Sequence, residues 1–296
     1  MAHSMPSLSS SLHIQDHDSE PQTVRITKRS DGITAIGINR PERRNAINIP
    51  TAKKLHAAFL DFESDESQKV CVFYGEGGNF SAGFDLSQLE TWDRPQAGPH
   101  AATSDSEEHP SITRSQFEPV RGENMGPLGP TRMQIRKPVI CAVSGNAVAG
   151  GLELSLLADL RVVEEDAIFG VYCRKMGVPL LDGGTVRLQH VVGLGRALDM
   201  ILTGRPVRAK EALGMGLANR VVPRGQSFEE AIKLARTLVA FPQDGMNADR
   251  QSCYYAAYHA HSLEDGLSQE FEAGCRVSDL AIEDALKFVR KRQSKL

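Results

Sequence analysis

Residues 138–153 read Pro-Val-Ile-Cys-Ala-Val-Ser-Gly-Asn-Ala-Val-Ala-Gly-Gly-Leu-Glu, and the predicted fold is organised around this stretch. The apolar run 138–143 is typical of a strand that is buried on both faces of a parallel sheet. Residues 144–146 are turn formers, and a helix is predicted to begin near Ala149 and to extend as far as Leu160.

The start of this helix has two features of a catalytic site. Gly150 would lie in the first turn, where backbone N–H groups have no partner within the helix and can stabilise a developing oxyanion. Glu153 lies three residues later, so its carboxylate would be on the same face, one turn further on. A glutamate in the first turn equally fits a helix cap, so the pattern by itself leaves both interpretations open.

The composition is that of an ordinary globular protein. The 296 residues are 41% hydrophobic and carry a formal net charge of -3, which gives no electrostatic argument for a nucleic-acid partner. No apolar run approaches the roughly 20 residues that span a bilayer. The five cysteines have no paired spacing, so neither a disulfide framework nor a zinc site is indicated. The first twenty residues lack the features of a signal peptide, so the cytoplasm is the expected location.

The first half of the chain begins with a polar, Ser-rich tail. Residues 1–21 are predicted to be disordered. A hairpin follows over residues 24–38, then a charged loop, a helix opened by Pro50, and a buried strand over residues 70–74. Residues 87–131 lack sustained periodicity, and a stretch of this length is typical of a lid or a variable insert.

The second half is predicted to be mostly helical. Asp182 precedes the helix that carries Val186, and the pattern leaves open whether its side chain caps that helix or takes part in chemistry. From Ser227 onward the chain is expected to be all helix, with breaks at residues 242–245 and 273–274.

Several motifs occur in a fixed order along the chain. They are Asn-Arg-Pro-Glu-Arg-Arg-Asn-Ala at 39–46, Phe-Ser-Ala-Gly-Phe-Asp-Leu at 80–86, Lys-Pro-Val-Ile at 137–140, Ala-Gly-Gly-Leu-Glu-Leu at 149–154, Phe-Gly at 169–170, Gly-Gly-Thr-Val-Arg-Leu at 183–188, Leu-Thr-Gly-Arg at 202–205, Glu-Ala at 211–212 and Gly-Leu-Ala at 216–218. Together they resemble the enoyl-CoA hydratase/isomerase family, the crotonase superfamily, over roughly residues 24–292. Ordered matches over most of a chain are far more specific than any single motif.

The resemblance implies an α/β fold, a crotonase-like spiral of repeated ββα units with a C-terminal helical trimerisation segment. The spiral core would span residues 22–225, including the insert, and the helical segment residues 226–296. Homotrimers of this kind often pair into hexamers. No separate cofactor is expected, because coenzyme A is part of the substrate, and neither a nucleic acid, a membrane nor a metal ion is expected as a partner.

The resemblance also implies the substrate class and the residues that would bind it. The substrate would be an acyl-CoA or enoyl-CoA thioester, and the backbone N–H groups of Phe84 and Gly150 would bind the thioester oxyanion. The residues expected to contact coenzyme A are Arg43, Arg44, Ala46, Ala82, Gly83, Phe84, Asp85, Leu86 and Gly150.

Hydratases of this family hold one water molecule between two glutamates, of which one acts as base and the other as acid. Glu153 matches the first and is expected to be the base, because the positive helix end favours its ionised form unless burial reverses this shift. The second position holds Cys173, interpreted as a buried structural thiol because a neutral thiol is a poor general acid. Asp182 is therefore the candidate for the second acid or base, whereas Glu164 and Glu165 are interpreted as surface charges.

The leading interpretation is an enzyme of the enoyl-CoA hydratase type, which adds water to a 2-enoyl-CoA in a syn fashion through an enolate. The missing second glutamate leaves two alternatives, an enoyl-CoA isomerase that uses a single carboxylate and a catalytically weak homologue that only binds acyl-CoA. Glu153 argues against the weak homologue, because a binding protein has little need for an acid beside an oxyanion hole.

Overall fold

Two sheets form the centre of the computed structural model, which describes residues 22–89 and 119–293. Their strands are β1 (Val24–Lys28), β2 (Ile33–Ile38), β3 (Val70–Gly75), β4 (Val139–Val143), β5 (Asn146–Val148), β6 (Leu160–Glu164), β7 (Ile168–Gly170), β8 (Val207–Arg208) and β9 (Arg220–Val222). The larger sheet has the order β1-β2-β3-β4-β6-β9 and the smaller sheet the order β5-β7-β8. The pairs β1–β2 and β7–β8 are antiparallel, and the other neighbours in both sheets are parallel.

Helices connect the strands and continue beyond them. They are α1 (Ile49–Ser64), α2 (Gly150–Ser155), α3 (Gly184–Val192), α4 (Leu194–Thr203), α5 (Ala209–Gly214), α6 (Ser227–Val239), α7 (Gln243–Tyr258) and α8 (Leu263–Gln293). None of the helices in the described ranges is both long enough and apolar enough to cross a bilayer. The α/β class and the helical C-terminal segment expected from the sequence are confirmed.

The core lies on both faces of the larger sheet because successive side chains of a strand point to opposite faces. Phe73 of β3 faces α1, where its ring meets that of Phe59 edge to face with the centroids 5.3 Å apart. Val72, next to it in β3, belongs to a second buried cluster together with Ile232 of α6. Burial on both faces explains why residues 70–74 form a continuous apolar run.

Residues 138–153 form β4, β5 and the start of α2. Strand β4 lies between β3 and β6 in the larger sheet, as its apolar run predicts, and α2 begins at Gly150. The helix ends at Ser155, and Leu160 opens β6, so the prediction that it reaches Leu160 is wrong. A short buried helix and a buried strand both require apolar residues, and their spacing in this stretch does not separate the two.

The C-terminal helices differ in part from the predicted positions of the helix breaks. The first break is confirmed, since α6 ends at Val239 and α7 begins at Gln243, although Gly245 lies inside α7. The predicted break at residues 273–274 is wrong, because α8 runs through both of them and the chain instead turns between α7 and α8. A helix tolerates a single exposed glycine, which costs only about 1 kcal/mol relative to alanine.

Glu164 is not the surface charge that the sequence predicts. It is 5% exposed, and its carboxylate accepts a hydrogen bond of 2.8 Å from the hydroxyl of Ser227, at the start of α6. Glu165 is exposed as expected. The predicted disordered tail over residues 1–21 and the middle of the predicted insert, residues 90–118, lie outside the described residues.

Candidate active site

Glu153 is a buried carboxylate that is bound by the loop leading into α3. The residue is 3% exposed, and its Oε1 accepts hydrogen bonds of 2.9 Å from the N–H groups of Asp182 and Gly184. A Cβ atom on Gly184 would lie 2.9 Å from the same oxygen, so glycine allows this close approach. Helix α2 has no side-chain cap, and the interpretation of Glu153 as the cap of its own helix is therefore wrong.

The pKa of Glu153 is raised to about 7, first by burial and then by the charge of Asp182. The backbone N–H groups of Gly184 and Asp182 and the charge of Arg187 lower it only in part. Burial thus outweighs the shift towards the ionised form that the helix end alone would produce. A group with this pKa can both accept and donate a proton near neutral pH.

Asp182 lies in the same loop and is also buried, at 5% exposure. Its Oδ1 accepts hydrogen bonds from the N–H of Leu128, at 3.1 Å, and from the hydroxyl of Thr131. Burial raises its pKa, while these two donors oppose the change. The cap position of α3 is Gly183 and no side chain caps that helix, so the interpretation of Asp182 as a helix cap is also wrong.

Each of these acids has one oxygen held by two donors and one that accepts no hydrogen bond. Across residues 22–89 and 119–293, nothing donates to Oε2 of Glu153 or to Oδ2 of Asp182. Neither oxygen belongs to the fully buried atoms of these ranges that lack a partner, so both border accessible space. Each of these oxygens is therefore available for a hydrogen bond or a proton from outside the described residues.

Cys173 occupies the position of the second hydratase glutamate and is buried, as predicted. Burial, and next the charge of Glu153, raise its pKa to about 11. The thiol is therefore neutral near pH 7 and lies close enough to Glu153 to feel its charge. These properties agree with its interpretation as a buried structural thiol.

Phe84 and Gly150, the expected oxyanion donors, lie on two segments in direct contact. A Cβ on Gly83 would be 2.6 Å from the backbone nitrogen of Gly150, so only glycine lets the segments approach this closely. Among the described residues, no acceptor binds the N–H of Phe84 or of Gly150. Gly83 and Ala149, which precede the two donors, both have positive φ, of 91° and 53°. Such a backbone is strained for alanine, and strain of this kind clusters at functional sites.

The two stretches expected to contact coenzyme A lie side by side. The N–H of Ala82 donates to the carbonyl of Arg44 at 3.0 Å, and the N–H of Ile47 donates to the carbonyl of Gly83 at 2.7 Å. Ala46, between these paired residues, is half-buried, and Arg43, next to Arg44, is exposed. These hydrogen bonds hold the two stretches side by side.

Asp85 and Leu86, at the end of the second stretch, have different environments. Asp85 is buried, and its Oδ2 forms an ion pair of 2.9 Å with Nη1 of Arg40. Nη1 of Arg40 also donates to the carbonyl of Ala46, so Arg40 links Asp85 to the first stretch. Leu86, in contrast, is 40% exposed.

Three residues of the site were not identified from the sequence. Leu128 and Thr131 come from the predicted insert, and a Cβ on Gly150 would lie 2.4 Å from Cδ1 of Leu128. Arg187 of α3 donates from Nη1 to the carbonyl of Asp182 at 3.3 Å, and its charge lowers the pKa of both acids. The run Gly-Pro-Leu-Gly-Pro at 126–130 signals a tight turn, but nothing in it points to Asp182.

Comparison with known proteins places the chain among its relatives. The family model described as enoyl-CoA hydratase/isomerase matches residues 28–293. The chain belongs to this family. It is 30% identical to the mevalonyl-coenzyme A hydratase of Beauveria bassiana over 88% of this chain and 90% of that protein. It is 32% identical to enoyl-CoA hydratase EchA19 of Mycobacterium tuberculosis over 73% of this chain and 74% of that protein.

A solved enoyl-CoA hydratase structure from Mycobacterium tuberculosis shares the fold, with a TM-score of 0.76, 29% identity and coverage of 91% of this chain and 96% of that one. This member of the enoyl-CoA hydratase/isomerase family is thus a crotonase-fold enzyme of the hydratase type, as the sequence predicts. Membership implies acyl-CoA thioesters as its substrate class.

Proposed function

We propose that this enzyme adds water to a 2-enoyl-CoA, with Glu153 and Asp182 as its acid–base pair and the N–H groups of Phe84 and Gly150 as its oxyanion hole. The main support for the proposal is the hydrogen bond that joins the two acidic residues. The N–H of Asp182 donates to Glu153 at 2.9 Å, and each acid keeps one oxygen without a donor among the described residues. Two such groups can serve the two proton transfers that hydration requires.

In the proposed reaction, ionised Glu153 takes a proton from water as the water oxygen bonds to the β carbon of the enoyl group. The π electrons move towards the thioester oxygen, and the resulting enolate is bound by Phe84 N–H and Gly150 N–H. Each such donor typically stabilises the transition state by about 2.7–4 kcal/mol. Asp182 then protonates the α carbon, which yields the 3-hydroxyacyl-CoA. Proton exchange between the acids restores the starting state.

Asp182 is a better second acid than Cys173. The thiol, with its pKa of about 11, would release a proton far less readily than a carboxylic acid. Burial raises the pKa of Asp182, although the hydrogen bonds from Thr131 and Leu128 oppose this rise. In the proposed reaction, Asp182 therefore takes the role of the missing second glutamate.

The test is to mix the purified enzyme with a 2-enoyl-CoA and to follow loss of the conjugated thioester and formation of the 3-hydroxyacyl product. We expect Glu153→Gln and Asp182→Asn each to lower kcat by roughly 10²–10⁴-fold, the usual contribution of general acid–base catalysis. Glu165→Gln removes an exposed carboxylate and should retain the activity. Absence of hydration by the unmodified enzyme would refute the proposal.

Cys173 in place of a glutamate favours one second candidate, an enoyl-CoA isomerase in which Glu153 alone moves a proton along the acyl chain. The same assay with a 3-enoyl-CoA separates the two reactions. An isomerase would form the 2-enoyl product without water addition, and Asp182→Asn would leave its rate unchanged. Acyl-CoA binding without turnover of either substrate would instead indicate a homologue that only binds.

We further propose that the chain forms a homotrimer, or a hexamer of two trimers. Support comes from an apolar stripe on α8, where Leu263, Leu267 and Phe271 follow at intervals of four residues and are 80%, 54% and 73% exposed. Large exposed apolar patches are typical of protein interfaces. Light scattering of the purified protein should give three or six times the chain mass of 32.3 kDa.

We propose no cofactor or metal for the reaction, since coenzyme A enters with the substrate. Dialysis against a chelator should therefore leave the hydration rate unchanged. The cytoplasmic location stays a prediction.

A further inference from the structure

The segment 126–131, from the end of the predicted insert, is built closely around Asp182. Gly126 and Gly129 exchange two backbone hydrogen bonds of 2.9 Å and form a tight turn. Leu128, at the tip of this turn, and Thr131 both donate to Oδ1 of Asp182. A Cβ on Gly126 would lie 2.2 Å from the hydroxyl oxygen of Thr131 and 3.0 Å from Oδ1 of Asp182. The absence of a side chain at Gly126 therefore allows the segment to approach Thr131 and Oδ1 of Asp182 this closely.

Thr131 is 1% exposed, so water cannot replace its hydroxyl in this hydrogen bond without a change in the packing. A hydroxyl that donates to a carboxylate stabilises the charged form, and this bond opposes the rise in the pKa of Asp182 that burial causes. The other charged groups that act on the pKa of Asp182 are Arg132, beside Thr131, and Arg187 of α3.

Asp182 also makes direct contact with Glu153. Its own N–H donates to Oε1 of Glu153, so the backbone of Asp182 holds one acid while its side chain serves as the other. The charge of Asp182 also raises the pKa of Glu153, which places the two carboxylates within electrostatic reach. Cys173 borders the pair as a neutral thiol.

We infer that Thr131 is a positioning residue, whose hydroxyl holds Oδ1 of Asp182 so that Oδ2 is presented to the acyl group of the substrate. This inference rests on the proposed role of Asp182 as the second acid. Thr131 itself does not touch the reacting atoms. Its effect on catalysis passes through the carboxylate that it holds, and the N–H of Leu128 gives the same oxygen its second donor.

The test compares Thr131→Val, which keeps the shape and removes the hydroxyl, with Thr131→Ser, which keeps the hydroxyl. We expect Thr131→Val to lower kcat by about tenfold to a hundredfold, the effect of a small misplacement of a catalytic group, with little change in KM. The pH limb that belongs to Asp182 should move to higher pH, because the hydrogen bond that lowers this pKa is lost. Thr131→Ser should restore both quantities.

A double variant separates positioning from a purely structural role. In the Asp182→Asn background, Thr131→Val should cause no further loss of kcat, because residues that act through one another are not additive. Losses that multiply, or a Thr131→Val enzyme with unchanged kcat and pH profile, would overturn the inference.

The same experiment distinguishes failure of the inference from failure of the proposed function. An unmodified enzyme that hydrates no 2-enoyl-CoA refutes the function itself. Hydration that survives Asp182→Asn unchanged refutes only the role of Asp182, and with it the role of Thr131. Thermal unfolding of each variant shows whether a loss of kcat reflects a loss of folded protein.

Discussion

Gly83 and Ala149 adopt backbone conformations that most residues avoid, and each stands directly before an N–H group assigned to the oxyanion hole. A sparsely populated backbone conformation of this kind costs a non-glycine residue roughly 1–3 kcal/mol. At Ala149, with φ of 53° and ψ of -126°, the packed surroundings maintain this conformation. We interpret the strain as the cost of directing the N–H of Gly150 into the site.

Gly83→Ala should remove an oxyanion donor without changing any acid. Its Cβ would fall 2.6 Å from the nitrogen of Gly150, so the two segments must separate. We expect kcat/KM to fall by roughly 10²–10³-fold, the effect of losing one such donor. Gly78→Ala is the matched control, because Gly78 also has positive φ, 83°, but no described residue other than its chain neighbours lies within 4 Å of its Cβ position. An equal loss in both variants would mean that backbone strain alone is responsible.

Glu153→Gln should stabilise the folded protein above neutral pH. The pKa of Glu153 rises on folding from 4.5 to about 7, so the folded state binds more protons in this window and loses stability as pH increases through it. At about 1.36 kcal/mol per pKa unit, the penalty is at most about 3 kcal/mol. Glutamine cannot ionise and escapes this penalty.

Urea unfolding at about pH 5 and about pH 8 measures the difference between the variant and the original protein, which should grow with pH. A difference that stays constant would show that burial of the charge is not what Glu153→Gln relieves.

At the scale of elements, α2 is a short helix that packs directly against the chain near Ser81. A Cβ on Gly151 would lie 2.0 Å from the backbone oxygen of Ser81, and one on Gly150 would meet Leu128. The glycines at the helix start are therefore required for close packing, in addition to any role in binding an oxyanion. Helix α8 is the opposite case, since among the described residues nothing beyond the adjacent residues and the local helix backbone lies within 4 Å of the Cβ position of Gly274.

The two glycines should respond oppositely to alanine. Gly151→Ala overpacks a buried contact with rigid backbone and should destabilise the protein by about 3 kcal/mol. Gly274→Ala should stabilise it by roughly 0.5–1 kcal/mol, because alanine restricts the unfolded chain and suits a helix interior. Thermal unfolding of both variants measures the signs. Destabilisation by Gly274→Ala would contradict the continuous course of α8 through this position.

At the scale of the whole molecule, apolar side chains remain exposed on helices outside the core. The stripe on α8, defined above, is matched by one on α4, where Leu194, Leu198 and Leu202 are 60%, 42% and 67% exposed. The opposite side of α4 is buried through Ala197 and Met200. An amphipathic helix whose outer face is also apolar is suited to a second interface.

Leu267→Glu should reduce the mass of the assembly, because a charge on the apolar stripe of α8 must be desolvated in the proposed interface. Ser268→Glu adds the same charge at the next position, which is also exposed, and should leave the mass unchanged. Light scattering over a range of concentrations measures both. A single-chain mass for the unmodified protein, or an unaffected Leu267→Glu variant, would refute the proposed use of this stripe.

Local sequence patterns explain which strands and helices could be predicted. The hairpin of β1 and β2, the helix α1, the strands β3 and β4 and the start of α2 were all predicted, because each depends on the periodicity of neighbouring residues. The short strands β5, β7 and β8 were not, since two or three residues carry too little pattern and pair only once the sheet exists.

By itself, the sequence determined the fold class, the start of α2 and the presence of Glu153 one turn inside it. Only the tertiary structure decided what surrounds that carboxylate. Asp182 donates to it from 29 residues away, and Thr131 binds Asp182 from a distance of 51 residues. Burial, and not the position of Glu153 near the helix start, determines the direction of its pKa shift. Desolvation depends on every element packed around the charge, and the periodicity of neighbouring residues does not reveal that packing.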